Sequence, residues 1–496
     1  MALVQPVIYF IIFILFTLIL INIWRRRKLY ILSWQLPGPV AFPLIGNALV
    51  FMCKEEDIFE QAINVTRNYP QSPIRFWLGP KLIVLFQHVA HAERIMTSTN
   101  FLTKDPIYKF MKTFNGEGLI TGSGDKWKRD RKLMSPIFKF EFVSQYFPII
   151  LDKSNRLVEK LVEEIDKPTF DIRLYLHRCV ADYVSETILG IPLNTLEGEM
   201  DVFLKAIART YTIIHARIIK VWLQIEWIFR LTKFHKEQEE AKDIYFDVIK
   251  TAINQTRNRK GRQEETKKNN ISFTSFILYL QENHKNYATD KEVVHHLSTI
   301  FSASEDTITV ICSFALVLFG MYPNIQNKVV EELEEILGNS NRDIQLEDIE
   351  KLNYLEMCIK DVLRLFPIAP FIMRMSSKAM RIDSVIIPEC CSCVINIYAI
   401  HRDTNLWKYP NDFYPEHFLP QEVKKRHNFA FLPFSGGLRS CLGRQYAFLS
   451  MKTTLATVLR NFIIESDGKL ADKKLKTDIS VRFKDDLYPV RIKRRY

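Results

Sequence analysis

Apolar residues fill the start of the chain almost without interruption. Residues 1–24 hold no Asp, Glu, Lys or Arg, and the run VIYFIIFILFTLILINIW is dense in Ile, Leu and Phe. Roughly twenty such residues, coiled as a helix, cross the hydrocarbon layer. Arg25, Arg26, Arg27 and Lys28 follow at once. Positive charge stays on the cytoplasmic side, so the pattern predicts an N-terminal transmembrane anchor with the remaining mass in the cytosol. A secretory signal has the opposite order, with charges before a shorter apolar region and small residues after it. Leu36-Pro37-Gly38-Pro39 cannot continue a helix and predicts a stiff hinge. The expected organisation is an anchor over 1–24, a basic and Pro-rich hinge over 25–39, and one folded body over 40–496.

Within the body, apolar residues recur at helical spacing over 151–165, 203–214, 235–253, 298–316, 323–337 and 445–459. Strand-like pieces are short: 74–78, 82–86, 384–387 and 393–397. The pattern therefore predicts a mainly α fold with small β-sheets. The aromatic stretch 221–234 (VWLQIEWIFRLTKF) reads equally well as a second membrane contact or as core packing. No internal repeat or low-complexity tract divides the body.

Composition changes this picture in a few places. The 35 Phe residues among 496 suit a large apolar interior, with an apolar ligand cavity or simply packed. The net charge of +12 raises a nucleic-acid reading. The basic residues are scattered among acids, as in 256–268 (TRNRKGRQEETKK), which reads as a solvated loop. A basic surface of that kind suits an anionic membrane face or an acidic protein partner and gives no nucleic-acid signature. Eight Cys residues lack the spacing of a disulfide framework, as in a reducing compartment. Cys390, Cys391 and Cys393 include a CxxC spacing but no second ligand pair, so buried strand cysteines are expected there. The sequons at Asn64, Asn254 and Asn270 should go unused in a cytosolic body.

The chemistry gathers near the C-terminus, in Phe434-Ser-Gly-Gly-Leu-Arg-Ser-Cys-Leu-Gly443. Gly437 and Gly443 permit close backbone approach to a bulky planar ligand and turn geometry that other residues resist. Cys441 precedes the helical run 445–459, and a helix N-terminus favours a thiolate. Arg439 adds positive charge suited to a ligand carboxylate, and Phe434 shields the sulfur from water. The plain alternative is a buried Cys in a Gly-rich turn.

This segment resembles the haem-binding loop of the cytochrome P-450 superfamily, matching FxxGxRxCxG at every fixed position. The resemblance implies the P-450 fold, preceded here by one transmembrane helix, and haem b with Cys441 as the proximal ligand to iron. Thiolate ligation pushes electron density onto iron and favours O–O cleavage. Ala303-Ser304-Glu305-Asp306-Thr307 resembles the superfamily's oxygen-activating stretch, usually Ala/Gly-Gly-x-Asp/Glu-Thr, which implies Asp306 and Thr307 as a proton relay. Trp127 and Arg131, four apart on one helix face, correspond to residues that bind a haem propionate, as does Arg374. With Arg439, Phe434 and Gly443 they complete the implied cofactor site. Two departures fall on one ion-pair network. Asp361, in Lys360-Asp361-Val-Leu-Arg364, stands for the usual Glu, and Pro415-Glu416-His417-Phe418 carries His417 for the usual Arg. An intact fold with a more pH-sensitive network is expected.

Within the superfamily the chain looks most like microsomal fatty-acid ω-hydroxylases, insect members in particular, through residues 118–127 and 426–434. Many of those carry a Glu esterified to haem; the corresponding residue is Ala303, so no ester link is expected. Ser304, in place of Gly, projects a hydroxymethyl toward the oxygen side. The resemblance implies an apolar small-molecule substrate, contacted by Phe110, Phe114, Phe301, Ile368 and Phe371. It implies the endoplasmic reticulum membrane as location with a cytosolic catalytic domain. Electrons would come from NADPH through a separate cytochrome P-450 reductase, with cytochrome b5 as a further partner, since no nucleotide-binding fingerprint is present. The rival readings are a haem-thiolate isomerase or dehydratase acting on peroxides, and a catalytically degenerate haem-binding protein.

Overall fold

The structure, a computed structural model, describes residues 4–42, 45–260, 272–284, 288–338 and 342–495. The described chain falls into two compact units. One takes the chain up to Asp105 together with Phe371–Asn396; the other takes Pro106–Pro370 and the chain from Ile397 onward.

The first unit opens with helix α1 (Val4–Arg25), 22 residues with their one charge at the end. Tyr9, Phe10, Phe13 and Phe16 are exposed on it, and several of its other side chains lie outside the described residues. The Pro-rich segment that follows is tied down: Pro37 accepts from the Arg75 amide at 2.8 Å. Gly38 is needed there because a Cβ would meet the Arg75 carbonyl oxygen at 2.3 Å. A five-stranded sheet is built from β1 (Ile74–Leu78), β2 (Lys81–Phe86), β3 (Thr103–Lys104), β4 (Phe371–Met375) and β5 (Ser392–Asn396), in the order β1-β2-β5-β4-β3. β2 pairs in parallel with β5, Ile83 opposite Ser392, while the other pairs are antiparallel. Ile74, Phe76, Ile83, Leu85 and Val394 pack on Val65. β5 is buried at all five positions, which is why its sequence shows no alternation. Cys391 and Cys393 are buried, and Cys390 is exposed.

The second unit is helical. Its main helices are α2 (Gly124–Met134), α3 (Phe147–Leu161), α4 (Ile172–Val184), α5 (Asp201–Ile219), α6 (Lys233–Lys260), α7 (Asp290–Met321), α8 (Pro323–Leu337), α9 (Asn353–Leu365) and α10 (Arg444–Asn461). α7 starts on a capping box between Thr289 and Glu292, the arrangement that satisfies two orphan amides at once. It runs 32 residues through the middle of the unit, packed by α4, α6, α9 and α10. It is long and apolar enough to cross a membrane, yet 83% of its apolar window is buried inside the protein. It is a core helix. Phe314 on it stacks on Phe366 at 3.9 Å and meets Phe483 and Tyr488 edge-on.

One expectation needs correction. The basic stretch 256–268 does not begin as a loop, because α6 continues to Lys260; Thr256 is buried against the fold. Residues 261–268 and the sequon at Asn270 lie outside the described residues. The aromatic stretch 221–234 divides between buried and exposed side chains. Leu223 and Phe229 enter a small core with Ile213 and Ala216, while Val221, Trp222, Ile225, Trp227 and Leu231 are exposed.

Candidate active site

The loop 434–443 is closed by a hydrogen bond from the Cys441 amide to the Phe434 carbonyl, 2.9 Å. Gly437 turns it with φ +63°, a conformation that costs other residues energy. Ser435 takes φ +58° without being Gly. Gly443, by contrast, has φ −78°, and a Cβ there would stand 3.9 Å from the Cys441 sulfur, an ordinary contact. The expectation of special turn geometry therefore holds for Gly437 and fails for Gly443. Phe434 is half-buried, its ring 5.5 Å from Phe448.

The helix-terminus argument for a depressed Cys441 thiol is also corrected. Burial pushes its pKa above the usual value; the Gly443 amide, which donates to the sulfur, and the Arg131 cation offset this only in part. α10 begins at Arg444, and a helix dipole acts mainly within the first turn. The cysteine as a residue is nevertheless exposed.

Beside this loop, two guanidiniums lie over one indole. Arg439 is 3.8 Å and Arg131 5.6 Å from the centre of the Trp127 ring. Arg131 donates to the Ser440 hydroxyl at 3.3 Å and Arg439 to the Gly122 carbonyl at 2.8 Å. Trp127 is buried and directs its N–H to the Leu119 carbonyl, 3.2 Å, so that donor is already engaged within the chain. Arg374 belongs to the first unit, on β4, where it is buried and donates to the Met373 carbonyl at 3.0 Å.

α7 supplies the other candidate residues. From Leu297 to Gly320 every position is buried except Ala303, Ser304 and Thr307. These three share one helix face, so a buried helix opens there and nowhere else along that stretch. Thr307 donates back to the Ala303 carbonyl at 2.8 Å. Asp306, just off this face, accepts from Arg482 at 2.6 Å. Although burial opposes it, Asp306 and the nearby Asp486 and Asp478 raise the Arg482 pKa. Glu305 is buried and pairs with His177 at 2.9 Å. The sequence pattern pointed to Asp306 but not to its partner Arg482 or to the His177 partner of Glu305, since both lie more than a hundred residues away. Phe114 and Phe301 pack in an aromatic core with Tyr211, Tyr245 and Phe203. Both are almost fully buried. Ile368 and Phe371 are half-buried.

Every oxygen of Asp361 finds donors despite both departures, while His417 Nε2 is buried without a hydrogen-bond partner among the described residues. Asp361 accepts from Arg364 Nε (2.6 Å) and Nη2 (3.2 Å), the Tyr414 amide (2.7 Å) and His417 Nδ1 (2.9 Å). Arg426, which sequence reading passed over, lies 4.0 Å over Trp407 and donates to the His417 carbonyl. Burial and the Arg364 charge lower its pKa to about 10.

A family model described as Cytochrome P450 matches residues 36–488. Among curated proteins, Cytochrome P450 4V2 of Homo sapiens is 29% identical over 493 residues, covering 96% of this chain and 94% of that protein. Cytochrome P450 4g15 of Drosophila melanogaster is 29% identical over 567 residues, covering 100% and 98%. Cytochrome P450 4c3 of the same organism is 28% identical, covering 95% and 92%. Among solved structures, the cytochrome P450DA heme domain superposes with a TM-score of 0.78 at 19% identity over 93% of this chain and 98% of that one, a likeness of fold. With the family matched from the Pro-rich segment almost to the last strand, the chain belongs to the cytochrome P450 family and is a monooxygenase of that family.

Proposed function

We propose that the chain is a membrane-anchored haem-thiolate monooxygenase in which Cys441 carries the iron. The observation that bears most weight is the setting of Cys441, an exposed residue held in a Gly437-turned loop, with Arg131 beside its sulfur and the Gly443 amide donating to it. Haem fits the donor set. Cys441 offers one soft thiol ligand that would hold the iron, and two cations gather over Trp127, where a dicarboxylate would balance them. Among the described residues Arg131 donates to no carboxylate, so a ligand carboxylate has a donor waiting. Arg131 and Arg439 would hold the propionates; Phe434 and Gly443 would flank the sulfur. Bound haem b supplies oxygen activation. Ala303 offers no carboxyl, so haem should be extractable by acidic solvent rather than ester-linked.

The chain's own contribution is to position an apolar substrate and move protons. Ala303, Ser304 and Thr307 form the open face of α7 on which substrate and oxygen would sit, and the Ser304 hydroxymethyl narrows it. Thr307 and Asp306 are the relay, with Asp306 giving up its Arg482 contact to pass a proton on. The expected organisation is an anchor at 1–24, a hinge at 25–39 and a catalytic domain at 40–496, on the cytosolic face of the endoplasmic reticulum. Exposed Trp222, Ile225 and Trp227 would give a second membrane contact. Electrons would come from NADPH-cytochrome P-450 reductase, with cytochrome b5 as an auxiliary donor.

The test is the carbon-monoxide spectrum of the reduced protein. The wild type should give the thiolate signature and Cys441→Ser should lose it; a signature that survives the substitution, or is absent from the wild type, refutes the assignment. One observation favours a second reading. Asp306 is tied to Arg482, and an acid so held delivers protons slowly, which suits an isomerase that rearranges hydroperoxides. Reductase-dependent oxygen consumption supports the monooxygenase; hydroperoxide turnover without reductase supports the isomerase.

A further inference from the structure

Arg482 stands on a hairpin of β6 (Leu475–Thr477) and β7 (Val481–Phe483), paired antiparallel. The Val481 amide donates to the Ile368 carbonyl at 3.1 Å, which ties the hairpin to the body. Arg482 and Asp306 are both buried, and Arg482 Nη2 donates to Asp306 Oδ1 at 2.6 Å. Two further carboxylates lie just out of reach. Asp486 Oδ1 is 3.7 Å from Nη1, and Asp478 Oδ2 is 3.8 Å from Nε. Arg482 Nε is buried and has no hydrogen-bond partner among the described residues. A buried donor left unmade is costly, so closing the gap to Asp478 is favourable in itself. Asp486 is already shared by Arg173 at 3.5 Å and Lys476 at 3.9 Å. Besides Arg482, Asp478 meets His215 Nδ1 of α5 at 3.7 Å.

We propose that Asp478 is a positioning residue for the proton relay: it takes Arg482 over from Asp306 and so frees the relay acid. This role rests on the assignment of Asp306 to the relay. Nε and Nη2 form one edge of the guanidinium fork, and such an edge matches a single carboxylate bidentately. Here the edge is divided, with Nη2 on Asp306 and Nε on nothing. Asp478 is placed to take the whole edge. A movement of about 0.8 Å brings Nε to ordinary hydrogen-bond length from it. The cation stays paired through the exchange, whereas leaving Asp306 with no other acceptor would strand a buried charge. Asp306 is then a buried carboxylate without its cation, and such a group draws a proton.

The test joins a structural measurement to a kinetic one, both on the full-length, haem-loaded chain. In a crystal structure of Asp306→Ala, Arg482 loses its near acceptor, and Nε should close on Asp478 to about 3.0 Å. An Arg482 that keeps its place, or turns to Asp486 alone, overturns the proposal. Asp478→Asn keeps the shape of the side chain and removes its charge. A proton relay contributes roughly 10²–10⁴-fold to a rate, so slowed release should lower reductase-driven oxygen consumption about tenfold, with dodecanoate as the probe. The solvent deuterium isotope effect should rise, while dodecanoate binding, read from the haem spectrum, stays unchanged. Asp478→Glu should restore most of the rate. An unchanged rate and isotope effect in Asp478→Asn, or equal losses in the Asn and Glu variants, overturn the proposal. The Asp478 variants decide alone if circular dichroism finds Asp306→Ala unfolded. If the wild type consumes no oxygen with reductase, the monooxygenase reading falls, and the crystal structure still decides whether Arg482 changes partner.

Discussion

Replacing Asp361 by Asn removes one negative charge and turns one acceptor oxygen into a donor. Both Asp361 and Arg364 are fully buried. At the Oδ2 position the new amide nitrogen faces two donors, Arg364 Nη2 and the Tyr414 amide; at the Oδ1 position it faces the Arg364 Nε donor, and His417 Nδ1 accepts from it only after a change of tautomer. Arg364 keeps its bonds to the carbonyls of His401, Pro410 and Asp412 but loses its counter-charge, with Arg426 close enough to feel it. Breaking a buried pair from one side costs about 3–5 kcal/mol. An unfolding entropy of about 2.1 cal/mol/K per residue gives a chain of this size about 1 kcal/mol/K, so Tm should fall by roughly 3–5 °C if the whole chain melts together. Asp361→Glu inserts a methylene where all four partners are already satisfied, and overpacking costs about 1–3 kcal/mol. Neither variant should therefore gain stability or haem retention. The assay is melting at one fixed scan rate, because chains this large unfold irreversibly, followed by circular dichroism and by haem absorbance. An Asn variant within about 1 °C of wild type, or a Glu variant that melts higher, would refute the claim that the shorter acid is fully accommodated.

Other outcomes follow from the same geometry. His296 is buried and its pKa is lowered to about 4, with burial the leading cause. The unfolded chain takes up this proton near pH ~6.5 and the native chain only near 4. The stability it contributes, at most about 3 kcal/mol, is intact above pH ~6.5 and drains away as pH falls toward 4. His296→Phe should flatten the stability curve in that window, and an unchanged curve would sink the assignment. Gly437→Ala, at φ +63°, should cost about 1–3 kcal/mol and weaken haem retention, whereas Gly443→Ala, at φ −78°, should be nearly silent by the same melts. Asn64 and Asn254 are exposed on helices and should stay unglycosylated in secretory-competent cells; a glycosidase-sensitive mass shift at either would overturn the cytosolic topology.

The sequence by itself determined what is written locally. The apolar periodicities at 323–337 and 74–78 became a helix and a strand with those bounds. The spacing from Phe434 to Gly443 named the cysteine loop, because a short loop carries its turn glycine and its thiol within ten residues. What depends on charges or faces meeting from distant parts of the chain could be decided only by the tertiary structure. Asp306 and Thr307 were legible as a pair, but that Asp306 rests on Arg482 was not, since nothing local links residues 176 apart. That Phe114 and Phe301 pack on Tyr211, Tyr245 and Phe203 was not legible, because an aromatic looks the same in sequence whether it faces a ligand or another ring. The Cys441 pKa reversed direction because burial is a sum over every atom packed around the sulfur. Asp361 proved sufficient because Tyr414 and His417 come to it from 53 and 56 residues away. Periodicity and spacing are properties of neighbours along the chain; desolvation and ion pairing belong to neighbours in space, and only the folded structure brings those together.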